Sequence, residues 1–149
     1  MKEHVSELRQ DVSDQLRRVL DERQLATHFQ PIFDFRAGRF LGYEALVRGP
    51  SGSLLETPVE LFRAAQAHDA LVELNAICIA SVLRAFSRSG LPGKLFLNIS
   101  PQLIVQRGFD QERARRFMAG LGLDPKRVTI ELTEDYPTYD FDLVRESLA

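Results

Sequence analysis

Three short runs of the sequence carry residues able to do chemistry. Gly42-Tyr43-Glu44-Ala45-Leu46-Val47-Arg48-Gly49 sets a carboxylate ahead of a guanidinium on one stretch. Leu95-Phe96-Leu97-Asn98-Ile99-Ser100 carries an amide near its end, and Val128-Thr129-Ile130-Glu131-Leu132-Thr133-Glu134 carries a second carboxylate. Each is a run of strand-forming, mostly apolar residues interrupted by a carboxylate or an amide. Two carboxylates and an amide carbonyl form an all-oxygen donor set, which favours a hard cation such as Mg²⁺ or Mn²⁺ over Zn²⁺. Such a cation activates water and neutralises phosphate charge, and Arg48 can pair with a phosphate oxygen. Each residue also has a plainer role. A lone Glu in a strand is usually solvated or ion-paired, an Asn often fixes a loop, and an Arg often completes a salt bridge. The recurrence at three strand ends is what favours a site.

The elements that must position these residues alternate. The run His28 to Phe35, the short turn Arg36-Ala37-Gly38 and the run Arg39 to Arg48 predict an antiparallel hairpin, because a parallel pair needs a long crossover. Pro31 cannot donate to a ladder, so one side of the first strand is expected to be under-paired. Thr57-Pro58-Val59-Glu60 is a helix start with a cap, a proline at the first position and the acid of a capping box; that helix runs to about His68. A second helix carries Leu71, Leu74, Cys78, Val82 and Phe86 on one face and is stopped by Ser89-Gly90-Leu91-Pro92-Gly93. Leu95–Ile99 is almost wholly apolar, as strands buried on both faces are. Ser100-Pro101 opens a short helix, a further helix runs from about Gln111 to Met118, Asp124-Pro125 marks a turn, and a strand covers 128–132. A loop with Pro137 and a helix from about Phe141 follow. Strands alternating with helices predict a mainly parallel α/β sheet, whose ligand-binding side chains gather at the carboxyl ends of the strands. Arg48, Asn98 and Glu131 lie toward those ends, and Glu44 shares a strand face with Arg48 because an even number of residues separates them.

Ahead of the hairpin, Val5, Leu8, Val12, Leu16 and Val19 recur at helical spacing between charged residues, giving an amphipathic helix over about His4 to Arg23. It either packs on its own domain or serves as a dimerising or signalling helix. The 149 residues suit one domain, and 44% hydrophobic content supports a core rather than disorder. A net charge of −2 gives no case for DNA or RNA binding. The single cysteine, Cys78, excludes an internal disulfide; it sits among Ile77, Ile79 and Ala80 and reads as a buried core thiol, with a reactive thiol as the alternative. No secretory signal and no membrane segment is legible, so a cytoplasmic protein is expected.

Taken together, Phe29-Gln30-Pro31-Ile32, Gly42-Tyr43-Glu44-Ala45-Leu46-Val47-Arg48, Leu97-Asn98-Ile99-Ser100-Pro101 and Glu131-Leu132-Thr133-Glu134 resemble the EAL domain family, over about Asp11 to the C-terminus. The resemblance implies a modified (β/α)8 TIM-like barrel whose first strand is antiparallel to the others. About the first half of it is expected here, with an N-terminal helix over 1–23 and a truncated EAL domain over 24–149. It also implies a hydrolase: a phosphodiesterase that opens the bacterial messenger cyclic-di-GMP to the linear dinucleotide with two Mg²⁺ or Mn²⁺ ions. By position in the motifs, Glu44, Asn98 and Glu131 resemble metal ligands and Arg48 a phosphate contact. Gln30 and Leu46 resemble lining of the nucleotide site, and Glu134 a residue that steadies a neighbouring loop.

A barrel of this kind typically takes about 250 residues. The family's adjacent pair of aspartates, its lysine and its glutamate general base have no counterpart in the sequence, whose last residues read as a helix cut short. No catalytic residue is therefore assigned, and the chain is expected to be inactive alone. The alternative is a non-catalytic EAL-like binding or regulatory module that acts through a homo-oligomer or a protein partner. An unpaired edge near Ile130 is expected to favour self-association.

Overall fold

The structure, a computed structural model, describes residues 2–99 and 110–132, with side chains from Asp11 onward. Helix α1 (Lys2–Glu22) leads into strands β1 (Ala26–Asp34) and β2 (Arg39–Arg48). Helices α2 (Pro58–Ala67) and α3 (Leu71–Ser89) lead to β3 (Lys94–Ile99). Helix α4 (Gln111–Gly120) and a 3₁₀ turn (Pro125–Arg127) lead to β4 (Val128–Leu132). The sheet runs β1-β2-β3-β4, with β1 antiparallel to β2 and the β2–β3 and β3–β4 pairs parallel. The fold is thus mixed α/β, with the expected hairpin followed by parallel crossovers. Pro31 lies in β1, whose ladder partner among the described strands is β2 alone. The helix expected at Ser100-Pro101, the loop with Pro137 and the helix from Phe141 lie outside the described residues.

Two compact units share the chain, one of Met1–His28 with Leu46–Ser81, the other of Phe29–Ala45 with the chain from Val82 onward. The first has a core in which Leu16 and Val19 of α1 meet Leu55, Leu61 and Ala65, together with Leu74 and Cys78 of α3. From Val12 on, α1 therefore packs on its own unit. Its apolar spacing forms this stripe, and burial of the stripe is what fixes a helix of this length. α2 starts where the sequence places it. The Thr57 hydroxyl accepts the Glu60 N–H at 3.3 Å and donates to the Glu60 carboxylate at 2.7 Å. The reciprocal bond of the capping box thus closes on the hydroxyl.

Cys78 is buried in this core, and burial pushes its thiol from 9.0 up to about 12. The thiolate is the nucleophile, so Cys78 is a packing residue. Iodoacetamide at pH 8 is expected to modify it in guanidinium but not in the native protein. The pH dependence follows from the sign of the shift. Between 9.0 and about 12 the folded thiol keeps a proton that the unfolded thiol has lost, so folding stability falls as pH rises through that window. Cys78→Ala should flatten the fall; an equally steep decline in that variant would assign it to other groups.

In the second unit Val82, Leu83 and Phe86 of α3 and Leu95, Leu97 and Ile99 of β3 are buried. Arg127, just before β4, fastens the α3–β3 connection: its guanidinium donates to the carbonyls of Leu91 at 2.6 Å and Gly93 at 3.0 Å and lies 5.0 Å from the Phe86 ring centroid. Arg127→Ala should cost about 2 kcal/mol in urea unfolding, from two charge-assisted hydrogen bonds and a cation–π contact. Arg127→Lys should recover little, because an ammonium cannot reach two carbonyls as a planar fork does. A loss under about 0.5 kcal/mol would mean that these bonds merely replace solvent contacts.

Candidate functional site

Residues opposite one another in a sheet share a face, and that face changes with each step along a strand. The register pairs Glu44 of β2 with Phe96 of β3, and Asn98 of β3 with Glu131 of β4. Glu44, Phe96, Asn98, Thr129 and Glu131 therefore lie on one face of the second unit's sheet. Leu95, Leu97 and Ile99 occupy the other face of β3 and are buried, whereas Phe96 and Asn98 are half-buried. This corrects the expectation that β3 is buried on both sides. The described residues bury one face and leave the face that carries the polar groups partly open.

Glu44 stands one diagonal step from Asn98, within reach of a long side chain. The Asn98 Nδ2 donates to the Glu44 Oε1 at 2.7 Å. That bond holds a half-buried carboxylate against an amide from the neighbouring strand, and Glu131 is the register partner of Asn98 on β4. Two of the three expected ligands thus touch, and the third is the register partner of one of them. Among the described residues no group of three or more His, Cys, Asp or Glu side chains forms a metal-holding cluster. The donor set fits a hard divalent cation nonetheless, because its third member is an amide oxygen rather than a carboxylate or imidazole.

Gln30 lies on β1 in the same unit and is exposed; among the described residues no hydrogen bond joins it to the three. Leu46 and Arg48 follow Glu44 at alternate positions of β2, where the chain passes into the first unit, and both are half-buried. The Arg48 Nη1 donates to the carbonyl of Val47 at 3.0 Å. Glu134 lies outside the described residues. Phe96 and Thr129 share the face of the polar trio and were not among the residues expected there. Period-two alternation counted outward from Asn98 and Glu131 would have found them.

The EAL domain model of protein families matches residues 13–148. The chain belongs to the EAL domain family. An uncharacterized protein of Azorhizobium caulinodans is 35% identical over 130 residues, which are 80% of this chain and 18% of that protein. Among solved structures, the Xanthomonas citri FimX EAL domain in complex with c-diGMP superposes with a TM-score of 0.75 at 21% identity, over 97% of this chain and 56% of that one. Klebsiella pneumoniae BlrP1, in a manganese and cyclic-diGMP complex at pH 6, superposes with a TM-score of 0.69 at 26% identity, over 84% of this chain and 31% of that one. The EAL chain thus spans about half or less of the length of these relatives. Its four strands are part of the TIM-barrel-like EAL architecture. No helix of the described residues is long and apolar enough to cross a membrane.

Proposed function

We propose that this EAL chain carries part of a cyclic-di-GMP site of the phosphodiester-hydrolysing kind, with Glu44, Asn98 and Glu131 as its share of the metal ligands. The observation that carries the reading is the 2.7 Å contact of Asn98 with Glu44 across β2 and β3, with Glu131 in register beside Asn98. Two carboxylates and an amide on one face of neighbouring strands are the oxygen donors that a hard divalent cation takes. Mg²⁺ or Mn²⁺, when bound, supplies charge neutralisation for a phosphodiester and a more acidic water. The complexes of BlrP1 with manganese and of FimX with c-diGMP support the same ligand chemistry by family likeness.

The remaining assigned groups bind and orient. Arg48 can donate to a phosphate oxygen as a planar fork. Leu46 offers apolar surface two residues earlier on β2, and Gln30 offers an amide to a guanine edge or a phosphate from β1. Glu134 is proposed, by family resemblance, to steady a neighbouring loop. Hydrolysis also needs a base, and no residue of this sequence is assigned as one. Binding without turnover is therefore the activity proposed for these 149 residues. The experiment is calorimetric titration of the chain with cyclic-di-GMP, first in Mn²⁺ and then in chelator. Binding in Mn²⁺ that disappears in chelator is expected. No binding in either condition would remove the reading, and rapid formation of the linear dinucleotide would overturn the assignment of binding alone.

A further inference from the structure

Gln15, on α1, makes a contact that the site as described does not use. Its Oε1 accepts the backbone N–H of Leu54 at 3.0 Å, across a sequence separation of 39 residues. Its Nε2 donates to the Asp11 carboxylate at 3.1 Å, one helical turn back, which fixes the end of the amide that faces Leu54. The segment it holds, residues 49–56, follows Arg48 directly. That segment is closed against the strand end. The Gly49 N–H donates to the Glu56 carbonyl at 3.0 Å, and a Cβ on Gly49 would lie 2.0 Å from the Leu55 carbonyl oxygen. The apolar side of the same junction is continuous, since Leu55 is buried with Leu16 and Val19 of α1, and Val47 packs against that cluster. Arg48 donates in turn to the carbonyl of Val47.

From these contacts we infer that Gln15 is a positioning residue for Arg48. The amide pins the loop, the loop fixes the C-terminal end of β2, and the strand end sets the guanidinium where a phosphate meets it. α1 is thereby a lever on the phosphate contact. The inference rests on the reading of Arg48 as that contact. A bare structural role for Gln15 predicts a small loss of stability with nucleotide affinity unchanged. The positioning role predicts a loss of nucleotide affinity as well.

The test uses the full chain, Mn²⁺ and cyclic-di-GMP. Gln15→Ala should weaken nucleotide binding about fivefold, the scale of one lost hydrogen bond, while Mn²⁺ affinity stays within error and the melting temperature falls by no more than about 4 °C. The double variant Asp11→Asn with Gln15→Glu exchanges donor and acceptor along α1, keeps an acceptor for the Leu54 N–H, and should restore affinity. Hydrogen exchange supplies the second readout. Amides of residues 49–56 should exchange faster in Gln15→Ala and regain protection in the double variant, while those of Leu74–Phe86 do not change. Nucleotide affinity unchanged in Gln15→Ala would overturn the inference. If the unaltered chain binds no cyclic-di-GMP, the function reading fails by itself, and the exchange data decide the linkage of α1 to the loop. Unchanged protection over residues 49–56 would then overturn that linkage as well.

Discussion

Gly42→Ala is expected to lower folding stability by about 3 kcal/mol, the upper end for overpacking a tight site. A Cβ at this position would lie 2.0 Å from the Lys94 carbonyl oxygen and 2.7 Å from the Lys94 carbonyl carbon and amide nitrogen. All three are backbone atoms of β3, so no side-chain rotation relieves the clash. Gly42 and Lys94 are register partners at the start of the parallel β2–β3 ladder. The backbone must separate there, and the register two residues on, at Glu44 and Phe96, is disturbed with it. The measurement is a thermal or urea unfolding curve, in which the midpoint should fall by roughly 10 °C for a chain of this size. A loss below about 1 kcal/mol would mean that β2 and β3 are farther apart at this rung than described. Because Glu44 rides on the same strand, the variant should also lose nucleotide binding. That loss alone would not distinguish misfolding from a local effect, so the unfolding curve decides.

Glu44→Gln separates chemistry from fold. The substitution keeps the size of the side chain and an oxygen for the Asn98 N–H, so stability should change by less than about 0.5 kcal/mol. It removes one of the two carboxylates that would hold a cation. Loss of outer partners of a metal site typically costs about 10–100-fold in affinity, and loss of a ligand itself should cost at least about 100-fold. Cyclic-di-GMP binding in Mn²⁺ should fall with it. In chelator neither the variant nor the unaltered chain should bind the nucleotide, because the cation that offsets the repulsion between carboxylate and phosphodiester is gone. Direct calorimetric titration with Mn²⁺ alone reads the ligand loss separately from the nucleotide. Equal Mn²⁺-dependent binding in variant and unaltered chain would remove Glu44 from the ligand set. Unchanged Mn²⁺ affinity together with a stability loss above about 1 kcal/mol would assign it a structural role.

The elements were legible because their signals are local. The β1–β2 hairpin follows from a turn too short for a crossover, the start of α2 from Thr57-Pro58-Val59-Glu60, and β4 from the β-branched and apolar residues that surround Glu131 in Val128–Leu132. The face of α3 was readable in the same way, since Leu74, Cys78, Val82 and Phe86 recur at helical spacing and all four are buried. β3 was misread on one side: with three aliphatic residues and a phenylalanine around Asn98, composition outweighs alternation, and only burial tells the two faces apart. Each candidate ligand was likewise recognisable by its type and its place near a strand end.

The α/β order, the hairpin, the helix start at Thr57 and the four motifs of the EAL family can be read from the chain alone, because each depends on residues within a few positions of one another. Three relations emerge only on folding: Asn98 donates to Glu44, Glu131 is the register partner of Asn98, and Gln15 accepts from the Leu54 N–H. Those relations depend on strand register and on where a helix lands. A one-residue slip of a strand turns its side chains to the opposite face, so register is fixed by the whole packed sheet. The path of α1 is set by burial of Leu16 and Val19 against residues far along the chain, and no local pattern records which backbone amide will lie beneath Gln15.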